Sequence, residues 1–223
     1  MADRVLTTHE LNRALLARQL LLERSPARPT SALERIGGLQ MQYAPSGYVG
    51  LWTRLRDFRR DQLTRALERR RVIQAWVMRA TIHLVSARDY WLFTAGIRET
   101  RQGWWLRTQG RNLDGVDMQG VADLIREQLA DGPRRQAELT QALIDAGYPK
   151  PVWTGVQLWV DLVRVPPSGT WEHRRADRYG LAEEWTTPAR ATVDESHEHL
   201  VRRYLSGFGP ARLADVADWA GVT

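Results

Sequence analysis

The sequence predicts a mainly α fold with small β-hairpins, an α+β arrangement of tandem winged helix-turn-helix units. Two observations carry this. A helix–turn–helix pattern recurs three times along 223 residues, and twice it is followed by a further apolar stretch and a pair of short runs rich in β-branched and aromatic residues. A helix, turn and second helix form the front half of a helix-turn-helix unit. A third helix and a basic hairpin complete a winged helix.

The first repeat opens with ELNRALLARQLLLER, apolar at helical spacing, then a turn at Ser25-Pro26 and a second helix ending near Gly37-Gly38. After Pro45, SGYVGLWTRLRDF reads as the third helix and DQLTRALERR as a short fourth. RVIQAWVMRATIHLVS then alternates as two strands hinged between Met78 and Thr81. Arg88 to Arg111 is linker-like in position but interleaves arginine with Trp91, Trp104 and Trp105, which either pack neighbouring units together or meet nucleic acid. The second repeat runs VDMQGVADLIREQLA, Asp131-Gly132-Pro133, RRQAELTQALIDAG. VWTGVQLWVDLV follows as a third helix, then two strands bent around Pro166-Pro167 and Gly169. The last repeat runs SHEHLVRRYLS, Phe208-Gly209-Pro210, ARLADVADWAG. In each repeat a proline is expected to open the second helix, where its fixed φ suits the first turn. No third helix or wing follows before Thr223, so the chain reads as a fragment whose apolar faces around Val216 and Trp219 lack cover. The expected division is a first winged helix over 1–87, a connecting helical and aromatic segment over 88–115, a second winged helix over 116–190, and the start of an incomplete third over 191–223.

With 43% hydrophobic residues the chain has enough apolar content for a packed core, and without cysteine it is held by packing rather than by disulfides or thiolate–metal sites. No apolar run approaches the roughly 18 residues of a membrane span. The N-terminus, MADRVLTTHELNR, lacks an apolar signal core, so the cytoplasm is the expected compartment; nucleoid association and a monomeric state are separate expectations. The net charge is +6 and every basic residue but Lys150 is arginine. Arginine suits bidentate phosphate contacts, although GC-rich coding alone also replaces lysine. The positive excess favours a polyanionic partner.

Residues Gly38 to Phe58 and Arg71 to Val85 carry three motifs: Gln40-Met41-Gln42, the helix Leu51-Trp52-Thr53-Arg54-Leu55, and the strand Arg79-Ala80-Thr81-Ile82-His83-Leu84. In order and spacing they resemble the N-terminal signature of the AlkZ-like winged-helix DNA glycosylases. Ala80 departs from the glycine usual in that family. The resemblance implies hydrolysis of the N-glycosidic bond of N7-alkylated or crosslinked guanine, with double-stranded DNA carrying alkylated purines as partner and no cofactor. N7-alkylation makes the base a cation, so what remains is to position water against an oxocarbenium-like sugar and stabilise it. Gln40 and Gln42 are the expected catalytic pair, each amide able to hold a water. They face DNA together if they lie in the turn after the second helix, because on a regular helix i and i+2 diverge. The alternative is that they cap helix carbonyls. Tyr43, Trp52, Arg54, Arg79 and His83 are the expected DNA-binding residues. Against this, Tyr43 and Trp52 read equally as core, His83 as structural, and the two arginines as partners of acids such as Asp57. Lys150, in a Pro-Lys-Pro turn, offers no obvious Schiff-base nucleophile, so a glycosylase here is monofunctional. His197 and His199 diverge on a helix and no metal site is expected. A non-catalytic DNA-binding regulator and an inactive fragment are the other readings.

Overall fold

The computed structural model describes residues 5–109, 113, 115–189 and 191–222. Arg111 and Thr223, which end two of the segments read from sequence, lie outside them. Helix α1 (Thr8–Arg18) starts on a capping box, Thr7 accepting from the Glu10 N–H while the Glu10 carboxylate accepts from Thr7. It stops six residues before the expected Arg24, because Leu20 takes a left-handed φ of 58° and its side chain turns into the core. Helix α2 (Pro29–Ile36) has Pro29 in its first turn and closes on Gly37 at φ 76°. Here alone does a proline open the second helix as expected. Pro133 and Pro210 sit in the turns upstream of α7 (Gln136–Asp145) and α11 (Leu213–Ala220).

After α2 come strand β1 (Leu39–Gln40), helix α3 (Ala44–Trp52) and helix α4 (Arg60–Glu68). Strands β2 (Val72–Val77) and β3 (Thr81–Ser86) form the expected hairpin, joined by a turn at Met78–Ala80 in which Arg79 and Ala80 both have positive φ, 56° and 52°. The connecting segment, expected to be helical and aromatic, contains helix α5 (Ala87–Gln109), with Tyr90, Phe93, Thr94 and Ile97 buried at helical spacing. Helix α6 (Met118–Leu129) is capped by Asp117 and buries Met118, Val121, Ala122, Ile125 and Leu129 along one stripe. Strand β4 (Arg134–Arg135) precedes α7.

The third helix expected over Val152–Val163 shrinks to a 3₁₀ turn (Lys150–Val152) and helix α8 (Trp153–Val156), because Leu162–Arg164 leaves as strand β5. Strand β6 (Arg178–Leu181), a short α9 (Ala182–Trp185) and α10 (Val193–Phe208) follow. Helix α10 is capped by the Thr192–Glu195 box.

All six strands join one antiparallel sheet in the order β1-β3-β2-β5-β6-β4. The two hairpins meet where Ala75 of β2 pairs Val163 of β5. One core gathers α2, α3, α4 and one sheet face around Leu33, Met41, Leu51 and Leu84. A second surrounds α6, α7 and α8. The third lies between the other sheet face, α5, α10 and α11. Val216 is buried in this structure, and Trp219 packs against Phe93, Tyr204 and Phe208 at ring distances of 6.0, 5.4 and 6.0 Å. The apolar faces expected to lie open are therefore covered by α5 and α10. Asp89, 1% exposed, ties these helices by accepting from Arg203 Nη2 at 2.7 Å and pairing His199 Nε2 at 2.8 Å. Among the described residues no helix is long and apolar enough to cross a membrane.

Candidate active site and nucleic-acid surface

Gln40 and Gln42 lie not in a turn but in and just beyond β1, an extended edge segment. The pairing sets Leu39 opposite Leu84 and Gln40 opposite His83, and the Met41 N–H donates to the Ile82 carbonyl at 2.8 Å. Side chains alternate across a strand, so Leu39 and Met41 face the core while Gln40 and Gln42 share the other side. Burial agrees: Met41 is 0% exposed, whereas both glutamines are exposed. The divergence of i and i+2 on a helix does not arise.

The two amides are held differently. Gln42 Oε1 accepts from the Ile82 N–H at 2.9 Å, which extends the β1–β3 ladder by a side-chain rung and fixes the amide orientation, since only an oxygen can take that proton. Its NH2 and the second lone pair of Oε1 remain for a water. Gln40 makes no side-chain hydrogen bond among the described residues. Neither glutamine caps a helix carbonyl.

His83 is 4% exposed, and its Nδ1 meets the Thr81 carbonyl at 2.9 Å. A carbonyl only accepts, so Nδ1 carries the proton and Nε2 keeps a lone pair. Burial, helped by the nearby Arg79 cation, lowers its pKa to about 4. The imidazole opposite Gln40 is therefore neutral near pH 7.

Tyr43 and Trp52 are 55% and 52% exposed and are not core. Trp52 lines a cleft of about 230 Å³ with Tyr48, Val49, Phe58, Arg60 and Trp171, and the Arg24 guanidinium lies 4.5 Å from its ring centre. Arg54 spends its donors inward, on the Gly50 carbonyl at 2.9 Å, Thr53 Oγ1 at 3.3 Å and Gln19 Oε1 at 3.4 Å. Burial lowers its pKa, and no carboxylate, Asp57 included, pairs with it among the described residues. Arg79 is exposed and donates to the Trp219 carbonyl at 2.9 Å, at the C-terminal end of α11. Gln40, Gln42, Tyr43 and His83 are thus adjacent through β1 and β3, Trp52 stands on the neighbouring α3, and Arg54 braces α1 against α3.

Of the three tryptophans in α5, Trp105 enters the second core, Trp91 packs against the third, and Trp104 stays 40% exposed beside Arg101. Lys150 is exposed in the 3₁₀ turn before α8. His197 and His199 diverge, bonding the Gly96 carbonyl at 2.9 Å and Asp89 at 2.8 Å.

One feature of this surface is absent from the residues read out of the sequence. The β5–β6 loop folds back over the first unit, where Trp171 meets Tyr48 edge-on at 5.8 Å and the Arg60 guanidinium at 5.0 Å. Arg174 Nη1 then donates to the Tyr43 hydroxyl at 3.3 Å, one residue from Gln42. The run His173-Arg174-Arg175 was its sequence signal, but the long-range contact had none.

A family model described as DNA glycosylase AlkZ-like matches residues 33–223. Among solved structures, the Streptomyces sahachiroi DNA glycosylase AlkZ is similar in fold, with a TM-score of 0.75 at 16% identity. The match covers 98% of this chain and 65% of that one, so the chain spans somewhat under two thirds of the solved relative. No curated protein matches the sequence.

Proposed function

The chain belongs to the AlkZ-like DNA glycosylase family, and from that premise we propose that it hydrolyses the N-glycosidic bond of N7-alkylated guanine in double-stranded DNA, including guanine joined across strands. Gln40 and Gln42 hold the attacking water. The observation that carries this reading is their shared face on an extended edge segment, with a neutral His83 opposite Gln40.

The chemistry needs little more than placement. N7-alkylation gives the guanine a positive charge, and breaking C1′–N9 returns that electron pair to the ring, so the base leaves neutral without a strong acid. Water adds its oxygen to C1′ and releases a proton. Two amide oxygens near the developing oxocarbenium supply negative potential without a carboxylate, while an amide NH2 orients the water. His83, lacking a proton on Nε2, acts as an acceptor at the edge of this arrangement and not as a general acid. Tyr43, an exposed aromatic next to Gln42, and Trp52 at the other end of α3 suit stacking against the displaced base or its neighbours. The reaction stops at an abasic site, since Lys150 lies on a separate unit from the glutamines.

The test is release of free base from a duplex bearing one N7-methylguanine. Gln40→Ala and Gln42→Ala should each lower the single-turnover rate by ~100-fold, the usual cost of one positioned polar group. Because amides do not titrate, the rate should be flat between about pH 5.5 and 8. Base release that persists in the double variant would overturn the assignment of the glutamines. No release by the wild-type chain, with duplex binding retained, would leave a DNA-binding protein without this chemistry.

A further inference from the structure

In helix-turn-helix proteins the recognition helix normally enters the groove and carries the contacts. Here the helix before the first hairpin, α4, holds its Arg65 against Asp61 at 2.6 Å and its Arg60 3.8 Å from Glu172, and the helix before the second, α8, reads WTGV with no charge. Cationic side chains without an acid partner stand instead on the β5–β6 loop and the strand edge beneath it. Arg135, Ser168, His173, Arg174, Arg175 and Arg178 line a cleft of about 380 Å³, in which Asp177 is the one carboxylate. Asp177 is taken up by Arg175 at 2.8 Å. Arg135, Arg174 and Arg178 make no ion pair among the described residues.

The sheet register adds an independent observation. Arg135 of β4 lies directly opposite Arg178 of β6. Like charges in that relation weaken a sheet, and neither guanidinium pairs with a carboxylate among the described residues. An anion seated between them offsets the repulsion. The loop is also built to hold its shape. Ser168 Oγ donates to the Arg175 carbonyl at 2.8 Å and accepts from the Asp177 and Arg178 N–H groups at 2.9 and 3.1 Å. The Gly169 N–H donates to the His173 carbonyl at 2.8 Å. Gly169 itself has φ 77°, and a Cβ there would lie 2.3 Å from Gln74 Oε1, so the backbone turns where a side chain cannot fit. A pre-ordered loop loses little entropy on binding.

We propose that this wing is the element that grips the DNA backbone, with Arg135, Arg174 and Arg178 binding phosphodiester groups toward the sheet edge opposite the glutamine pair. The inference rests on the DNA reading above and deepens it: phosphate contact is assigned to the second unit's wing. Through Arg174 and Tyr43 the wing sets the distance from a held phosphate to Gln42.

The experiment is the salt dependence of binding to undamaged duplex DNA, with base release scored separately. Replacing one phosphate-binding arginine by glutamine should lower the slope of log K against log salt by about 0.9, and the Arg135→Gln, Arg174→Gln, Arg178→Gln triple variant by about 2.7. Arg202→Gln, which removes an exposed α10 arginine paired with Glu198, should leave the slope unchanged. Arg178→Gln should unfold at no lower temperature than wild type, since it removes a like-charge pair. A triple variant with the wild-type slope overturns the wing assignment, and if base release is intact the glycosylase reading stands without it. A reduced slope in a protein that releases no base supports the wing and sinks the glycosylase reading.

Discussion

His83 makes the stability of this protein depend on pH in a direction and window that can be worked out beforehand. Its imidazole is 4% exposed and titrates at about 4, against 6.5 in an unfolded chain. Between these values the unfolded state binds the extra proton, so stability is fully present above pH 6.5 and falls as the pH drops toward 4. Below 4 both states are protonated and the loss levels off. The full window is worth about 3 kcal/mol, and at pH 5 about 2 kcal/mol is already gone. Other groups titrate in the same range, so the assay is a difference: urea unfolding of wild type and His83→Gln from pH 4 to 8. Glutamine can still donate to the Thr81 carbonyl but does not titrate. The gap between the two proteins should shrink by about 3 kcal/mol on going from pH 7 to 4. Parallel curves would refute the burial of a neutral imidazole, as would a His83 resonance titrating above pH 6 by NMR.

Three other perturbations separate local roles. Asp89→Asn removes the charge that Arg203 and His199 share between α5 and α10; it should cost about 2 kcal/mol, since Arg203 loses its nearer carboxylate and keeps only Glu34 at 3.6 Å, and thermal unfolding reads this directly. Ala80→Gly should stabilise by about 0.5–1 kcal/mol, since Ala80 sits at φ 52° where glycine carries no steric penalty, and denaturant midpoints would show no gain if the turn were relaxed. Gln42→Ala should lose about 1 kcal/mol with its bond to Ile82 whereas Gln40→Ala should stay within about 0.5 kcal/mol of wild type, so equal stability losses would contradict the side-chain rung.

The helices were legible because their signals are local. The apolar stripe of α6 and the β2–β3 hairpin both follow from spacing and turn chemistry within a few residues. What failed were features settled by distant parts of the chain. Val152–Val163 has helical periodicity, yet Leu162 and Val163 serve the sheet better, because β5 joins the two hairpins through Ala75. The segment from Arg88 reads as a helical connection, but its role in the core is not legible, because the faces it packs against belong to α10 and the sheet. The covered faces of Val216 and Trp219 were hidden for the same reason: Phe93, Tyr204 and Phe208 come from other elements.

The candidate site follows the same division, and this explains why its residues were easier to find than its geometry. Gln-Met-Gln has no periodicity that separates helix, turn and strand in three residues. Its conformation is decided by β3, whose backbone pairs Gln40 with His83 and donates the Ile82 N–H to the Gln42 side chain as a further rung. A strand requires a buried residue between two outward ones, and Met41 at 0% exposure meets that requirement. The motif therefore works as a unit: Met41 inserted in the core holds two amides outward at roughly 7 Å spacing along the chain. Replacing Met41 with a smaller apolar residue should then impair base release through misplacement of both glutamines while leaving them present. If Met41→Ala retained full activity after correction for the folded fraction, the extended segment would not be what positions the pair.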